Sequence, residues 1–321
     1  DIVRRFLGEA GADPDLSLRR AHYQFLAPGL DIVFSRPLRE LEAELARLFP
    51  GEAAGLARFM NELQERVRTA RREADANPDF LAGRRKSDAL RSAAASSGRI
   101  GPDIGAVRAD LSSAERLAFH IGEPRLRAFL GSMGSGEPSL SLGHLAFMWA
   151  VMAEEGIWFP ESGVHVPADR LAESFRNAGG ELRLGSPVGR IEVAGGRAKA
   201  VITERGERFE TRWVVSNADA KRTLLDLVEP GTLDPAELDR ARRVPYSDSE
   251  LCVYLGLDPG RVDWGRMRAR HLFFRKRPGL SRPAAPDDFE GADIEICRWD
   301  EGSAGLVPEG KAAIVLRAGF P

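Results

Sequence analysis

Residues 156–228 read GIWFPESGVHVPADRLAESFRNAGGELRLGSPVGRIEVAGGRAKAVITERGERFETRWVVSNADAKRTLLDLV, and the order of elements within that stretch decides the fold class. Pro167 opens PADRLAESFRNA at a first helical turn, where its missing N–H costs nothing, and Gly179-Gly180 follow where the helix must stop. Short extended runs come next, separated by tight turns: ELRL (181–184), PVGRIEV (187–193), Gly195-Gly196, AKAVITE (198–204), Arg205-Gly206, ERFET (207–211) and the apolar WVVS (213–216). A helix, a strand, a β-meander and a further apolar strand in so short a span predict an α/β arrangement.

Upstream the pattern is mainly helical. Residues 22–27 and 31–35, split by Pro28-Gly29, predict a β-hairpin. After Pro37, Leu38, Leu41, Leu45 and Leu48 share one helical face that ends at Pro50-Gly51. Leu56, Phe59, Met60, Leu63 and Val67 form the stripe of a second helix, from about 52 to 72. Residues 73–112 are poor in large apolar side chains and predict a mobile connection or lid. Further helices are expected at 113–120, with Arg116 at the third position and so no capping box, at 124–130 and at 139–155. Downstream, 218–227 and 235–243 read as helices, and 251–257, 272–275, 293–299 and 312–318 as strands.

A chain of 321 residues suggests about two domains, and 43% hydrophobic with 29% charged residues excludes disorder and fibrous classes. The 46 basic residues against 48 acidic leave a net charge of −2, so no global field recruits nucleic acid. Only 5 of the basic residues are Lys; the Arg alternate with Glu and Asp along helical faces, as solvated surfaces do. Cys252 and Cys297 are too few for a disulfide framework and lie in apolar strand-like runs, so they read as small buried hydrophobes in a reducing compartment. The 5 His are never paired at i, i+4 or beside a Cys, which predicts no metal. LAFMWAVMA (145–153), the longest apolar run, falls well short of the ~20 residues that span a bilayer. No Walker A, HExxH or GxSxG motif occurs, and GSMGSG (131–136) lacks the strand-before, helix-after setting of a phosphate loop.

The block 156–228 resembles the phytoene desaturase (carotenoid desaturase) family of FAD-dependent oxidoreductases, within the wider flavin amine oxidase superfamily. The resemblance rests on Gly156, Trp158 and Pro160, the strand with Val188, the turn Gly195-Gly196-Arg197 and VVSNAD from Val214 to Asp219, in that order and spacing. It extends to EPRLRAF (123–129) with Gly136 and Pro138, to LCVYLGLD (251–258), to His271 and to LVPEGK (306–311). It is strong after about residue 120 and weak before it.

The resemblance implies an α/β fold: a partial FAD/NAD(P)-binding Rossmann-like domain with a β-meander (1–20 and 156–230), interleaved with a helical plus mixed-sheet substrate domain (21–155 and 231–321). It implies FAD as cofactor, held at Gly163, Val188, Ser216, Asn217, Ala218 and Asp219, with the Val188 backbone at the adenine; Asn217 and Asp219 equally suit a helix N-cap. The cofactor carries the redox chemistry, and no residue announces itself as acid or base; Arg125, Arg127 and His271 are positional candidates. The implied reaction moves hydride from an apolar polyene or similar lipid to flavin, as in carotenoid biosynthesis. Phe119, Phe129, Phe147, Met148, Trp149 and Trp158 are candidates to line an apolar tunnel, although such residues at helical spacing also make plain core. The Arg-rich segments 66–72, 84–86 and 266–277 suit solvated surface or anionic headgroups, so a cytoplasmic protein peripheral to the membrane is expected.

Two departures stand out. Ser162-Gly163 replaces a glycine pair, and neither the Gly-x-Gly-x-x-Gly fingerprint nor a second glycine-rich cofactor segment occurs in the 321 residues. The expectation is therefore a fragment without the N- and C-terminal FAD-binding segments, which alone holds flavin poorly and is inactive. The alternatives are an amine-oxidase-like flavoenzyme and a non-catalytic scaffold of flavoprotein fold.

Overall fold

The computed structural model describes residues 2–76, 112–132, 142–246, 249–276, 293–299 and 305–320. In chain order the elements are α1 (Ile2–Glu9), β1 (Leu18–Arg20), β2 (Tyr23–Ala27), β3 (Leu30–Val33), α2 (Leu38–Leu48), α3 (Ala53–Ala76), α4 (Ser113–His120), α5 (Pro124–Ser132) and α6 (Leu142–Trp149). Then follow β4 (Trp158–Pro160), α7 (Val166–Asn177), β5 (Val188–Ala194), β6 (Arg197–Thr203), β7 (Arg208–Glu210), α8 (Pro235–Arg243), β8 (Ser249–Leu257), β9 (His271–Phe274), β10 (Ile294–Trp299) and β11 (Ala312–Phe320). The chain divides into two compact units, one of Asp1–Pro14 with Pro167–Ser247, the other of Asp15–Val166 with Asp248–Pro321.

The larger unit is built on a six-stranded sheet in the order β3-β2-β9-β10-β11-β8. All its pairings are antiparallel except β2 with β9, where Tyr23 to Leu26 run parallel to His271 to Phe274. The predicted hairpin forms, with Gly29 at φ 73°, a conformation open to glycine without strain. The predicted helical stripes then cover this sheet: Leu41 and Leu45 of α2, and Leu56, Phe59, Met60 and Leu63 of α3, are fully buried in one cluster with Phe25, Ile32 and Phe34. Phe129 of α5 and Trp149 of α6 meet edge-on over Phe34, with ring centroids 5.5 to 5.7 Å apart. The Trp149 indole donates to the Leu130 carbonyl at 2.9 Å, so its one polar atom is satisfied. β1 and β4 pair separately as a two-stranded sheet.

The smaller unit holds the meander β5-β6-β7 with α1, α7 and α8. Ser174 of α7 donates to the Ala10 carbonyl at 2.8 Å, and Arg170 reaches the Asp13 carbonyl at 2.8 Å, so the chain after α1 is tied to α7. A parallel bridge joins Ile191 of β5 to Val228.

Several expectations change. The helix α4 does carry a capping box, because Ser112 is the N-cap and Glu115, not Arg116, takes the third position: Ser112 Oγ accepts from the Glu115 amide while Glu115 accepts from the Ser112 amide at 2.8 Å. The helix expected to end near 72 continues to Ala76, and residues 77–111 of the proposed lid lie outside the described residues, as do 133–141 of the glycine cluster and helix start. After Trp149 the helix widens into a π turn, Ala150–Glu155, and another π turn, Arg222–Leu227, takes most of the expected 218–227 helix. ELRL and WVVS are irregular, since neither finds a ladder partner among the described residues; a strand needs a neighbour for its N–H and C=O groups, and Trp213 (86% exposed) and Val215 (96%) lie open.

The tunnel residues also separate. Phe129 and Trp149 are closed core, whereas Phe119 (74% exposed), Phe147 and Trp158 face outward. Replacing Trp149 by Ala is therefore expected to cost about 3–5 kcal/mol in urea unfolding, and Phe119→Ala to stay within about 0.5 kcal/mol. Equal effects at the two positions would contradict this assignment of core and surface.

Candidate functional site

The smaller unit contains an open groove of about 1250 Å³ between the meander and the chain that follows it. Its walls include Arg197 and Lys199 of β6, the segment from Glu210 to Val214, Ser216, and Thr223 and Leu224 of the π turn. Ser216 Oγ lies 2.7 Å from Thr223 Oγ1 and accepts from the Ala218 amide at 3.3 Å. Asp219 Oδ1 accepts from the Arg222 amide at 2.8 Å, the capping role anticipated for it. Asn217, Ala218 and Asp219 are exposed, and Val188 is half-buried at the first position of β5, opposite Thr203. Of these residues Ser216 lines the groove.

Gly163 belongs to the larger unit. It sits at φ 102°, and a Cβ there would come within 3.0 Å of Leu306, so the LVPEGK turn closes on a position only glycine fits comfortably.

A second concavity, of about 320 Å³, lies wholly within the larger unit. His271, first residue of β9 and 8% exposed, is layered between the rings of Tyr23 and Phe159 at 4.9 and 5.1 Å. Strand register sets Cys297 of β10 opposite it, and His271 Nε2 lies 3.7 Å from Cys297 Sγ, while Nδ1 is 3.8 Å from a Glu295 oxygen. Burial, reinforced by the negative charge of Glu295, pushes the Cys297 thiol up to about 12, past the opposing pull of Arg317 and Arg270. The thiol is thus protonated at neutral pH, and the pair is not a thiolate nucleophile with its imidazolium. Around it the cavity is walled by Arg19, Arg20, Arg268, Arg270 and Arg298 with Phe159 and Trp299.

Arg125 and Arg127 do not line this cavity. Arg125 holds Glu123 at 2.7 Å, lies 5.4 Å over the Phe49 ring and borders a small recess with Phe25 and Arg275. Arg275, expected on a basic surface, is instead 1% exposed and paired with Asp293 through Nε at 2.8 Å and through Nη2. Cys252, expected to be buried, is half-exposed on β8. Sequence reasoning missed the convergence of Arg20, Arg270 and Arg298. Arg270 belongs to the Arg-rich segment 266–277, read from the sequence as solvated surface or a headgroup contact, whereas Arg20 and Arg298 lie in distant segments; the fold brings all three to one cavity.

A family model, flavin containing amine oxidoreductase, matches residues 1–260. The chain belongs to that family. Among its relatives it is 27% identical over 221 residues to the lycopene-forming phytoene desaturase of Pantoea ananas, covering 68% of this chain and 42% of that protein. It is 30% identical over 304 residues to a zeta-carotene-forming phytoene desaturase of Myxococcus xanthus, covering 91% of this chain and 54% of that one. The chain thus spans about half the length of the curated relatives it matches. The fold is similar to that of an oxidoreductase from Methanosarcina mazei (TM-score 0.57, 13% identity, 99% of this chain, 64% of that one) and to a redesigned putrescine oxidase (TM-score 0.52, 13% identity, 98% and 61%). This family member is similar in sequence to phytoene desaturases and has an α/β fold. No helix among the described residues is long and apolar enough to cross a membrane.

Ellman's reagent should modify half-exposed Cys252 well before Cys297 in the native protein. Faster loss of Cys297, identified by peptide mapping, would contradict its burial and raised pKa.

Proposed function

We propose that the chain acts in an FAD-dependent dehydrogenase of the phytoene desaturase kind, passing hydride from an apolar polyene to flavin. The observation that carries this reading is the similarity to a phytoene desaturase across 91% of the chain, which spans both compact units. Bound FAD would supply the two-electron acceptor for the hydride. In this reading the smaller unit serves the cofactor and the larger one the substrate.

The residues present suit part of such a cofactor. The groove of the smaller unit is open, and among its described lining residues Arg197, Lys199 and Arg212 are three cations against the one carboxylate of Glu210. That balance complements an anionic dinucleotide. Val188 would offer backbone to the adenine, and Ser216 to Asp219 an exposed backbone strip; capping by Asp219 and the Ser216–Thr223 contact hold that strip in one shape.

Phe119 and Phe147, exposed on the adjacent helices α4 and α6, support a peripheral contact with the lipid phase in which a polyene dissolves.

The test uses the protein expressed from the complete reading frame that contains these residues. It should purify with, or take up, about one flavin per chain, and anaerobic addition of phytoene in vesicles should bleach the flavin bands while the polyene absorption moves to longer wavelength. A protein that stays colourless with added FAD overturns the redox reading. Bleaching by an amine such as putrescine, and not by phytoene, overturns the substrate.

A further inference from the structure

We propose that β8 is the pairing edge of a homodimer: its outer side takes the β8 of a second copy, antiparallel about Val253, and joins two six-stranded sheets into one. The larger unit alone carries this inference, which does not rest on the flavin reading.

The two edges of the sheet are built differently. β3 is four residues long, and its second residue, Asp31, places there a carboxylate that Arg268 holds at 2.8 Å. A short strand bearing a charge keeps other chains off a sheet edge. β8 is neither short nor interrupted. It runs nine residues, Ser249–Leu257, in unbroken register with Ala312–Phe320 of β11, and its sequence SELCVYLGL holds neither Pro nor Lys. Its one charge, Glu250, is engaged by Arg317 of the neighbouring β11, at 3.1 Å from Nε. Seven of its nine residues are exposed, Leu251, Val253, Tyr254 and Leu255 among them, so nothing among the described residues shields this edge. A long, regular, apolar edge of this kind presents its outer row of N–H and C=O groups as a template for another strand.

The pattern of β8 selects its own copy as the occupant. A twofold axis through Val253 pairs all nine residues, whereas moving the axis by one residue leaves two at the end of each strand unpaired. In the full register Leu251 falls opposite the second copy's Leu255, and Val253 opposite Val253. Strand alternation keeps these on one face, beside half-buried Ile314 and Leu316 of β11, so the apolar row runs on from one copy to the other. On the opposite face the bulky Tyr254 meets the small Cys252. Glu250 falls opposite Gly256, so no charge meets a like charge. Moving the axis one residue toward Tyr254 would set Glu250 against Asp258, two carboxylates. An antiparallel ladder of this length carries about 8–10 hydrogen bonds, as many as a typical protein interface. Such an interface is self-complementary and closes at two copies.

The experiment measures the mass of the protein from the complete reading frame by sedimentation equilibrium over a range of concentrations. The mass should approach that of two chains as concentration rises. Val253→Lys, at an exposed position, sets two like charges on the axis and should weaken dimerisation about tenfold or more, with the circular dichroism spectrum unchanged. Val253→Cys in a Cys252→Ser background should form a disulfide-linked dimer on mild oxidation, since paired Cα atoms across an antiparallel ladder stand about 4.5–5.5 Å apart and a disulfide spans that distance. Arg243→Cys in the same background, exposed on α8, should not. The cysteine variant changes the side chain little, so it decides the question if the lysine variant fails to fold. A protein that stays monomeric at every concentration overturns the proposal, as does a dimer that folded Val253→Lys leaves intact or one in which Val253→Cys crosslinks no faster than Arg243→Cys.

Discussion

The parallel pairing of β2 with β9 is the constraint on which the larger unit depends. It joins Tyr23–Leu26 to His271–Phe274, segments from opposite ends of the chain, and every other strand of that sheet is antiparallel to its neighbours. Without it the β2–β3 hairpin would be an isolated two-stranded piece, and such a piece is marginal in water. With it, the hairpin becomes the edge of a six-stranded sheet and presents Phe25, Ile32 and Phe34 to the helices. Helical packing therefore stabilises a pairing whose loop-closure entropy is large, and the pairing in turn gives the helices a surface to pack on.

Polar groups make this junction specific. Gln24 is fully buried, yet its amide donates to Asp31 Oδ1 at 2.7 Å and to the Arg266 carbonyl at 2.9 Å, and its oxygen accepts from the Arg268 amide at 2.7 Å. A shift in register would leave those donors and acceptors buried and unpaired, so the network disfavours slippage more strongly than apolar contact could. The Arg275–Asp293 pair sits at the end of β9 and acts in the same way on the next ladder. One consequence reaches the cavity. Arg268, Arg270 and His271 lead into β9, so the alignment that seats Gln24 also sets three of the cavity's walls.

Much of this was legible in the sequence. The hairpin around Pro28-Gly29, the leucine stripe of α2, the meander with its Gly195-Gly196 turn and the four late strands all follow from local periodicity and turn chemistry, which act over a few residues. The sequence pattern failed where a distant partner decides the outcome. WVVS has the composition of a strand but no ladder partner among the described residues, Arg275 reads as surface until Asp293 is placed beside it, and Phe129 and Trp149 read as tunnel candidates or plain core until both are seen packed on Phe34 and on each other. The arginine wall was only partly legible for the same reason. Arg268 and Arg270 belong to the Arg-rich segment 266–277, but no spacing rule connects them to Arg19, Arg20 and Arg298.

Native-state amide hydrogen exchange tests the β2–β9 constraint most directly. The amides that cross the junction, such as Arg275 donating to the Leu26 carbonyl at 2.9 Å, should exchange only through global unfolding and so share the protection of the β10–β11 ladder. If residues 23–33 exchange as a separate unit, at rates orders of magnitude faster than β10 and β11, the hairpin opens on its own and the parallel pairing is not what holds the larger unit together.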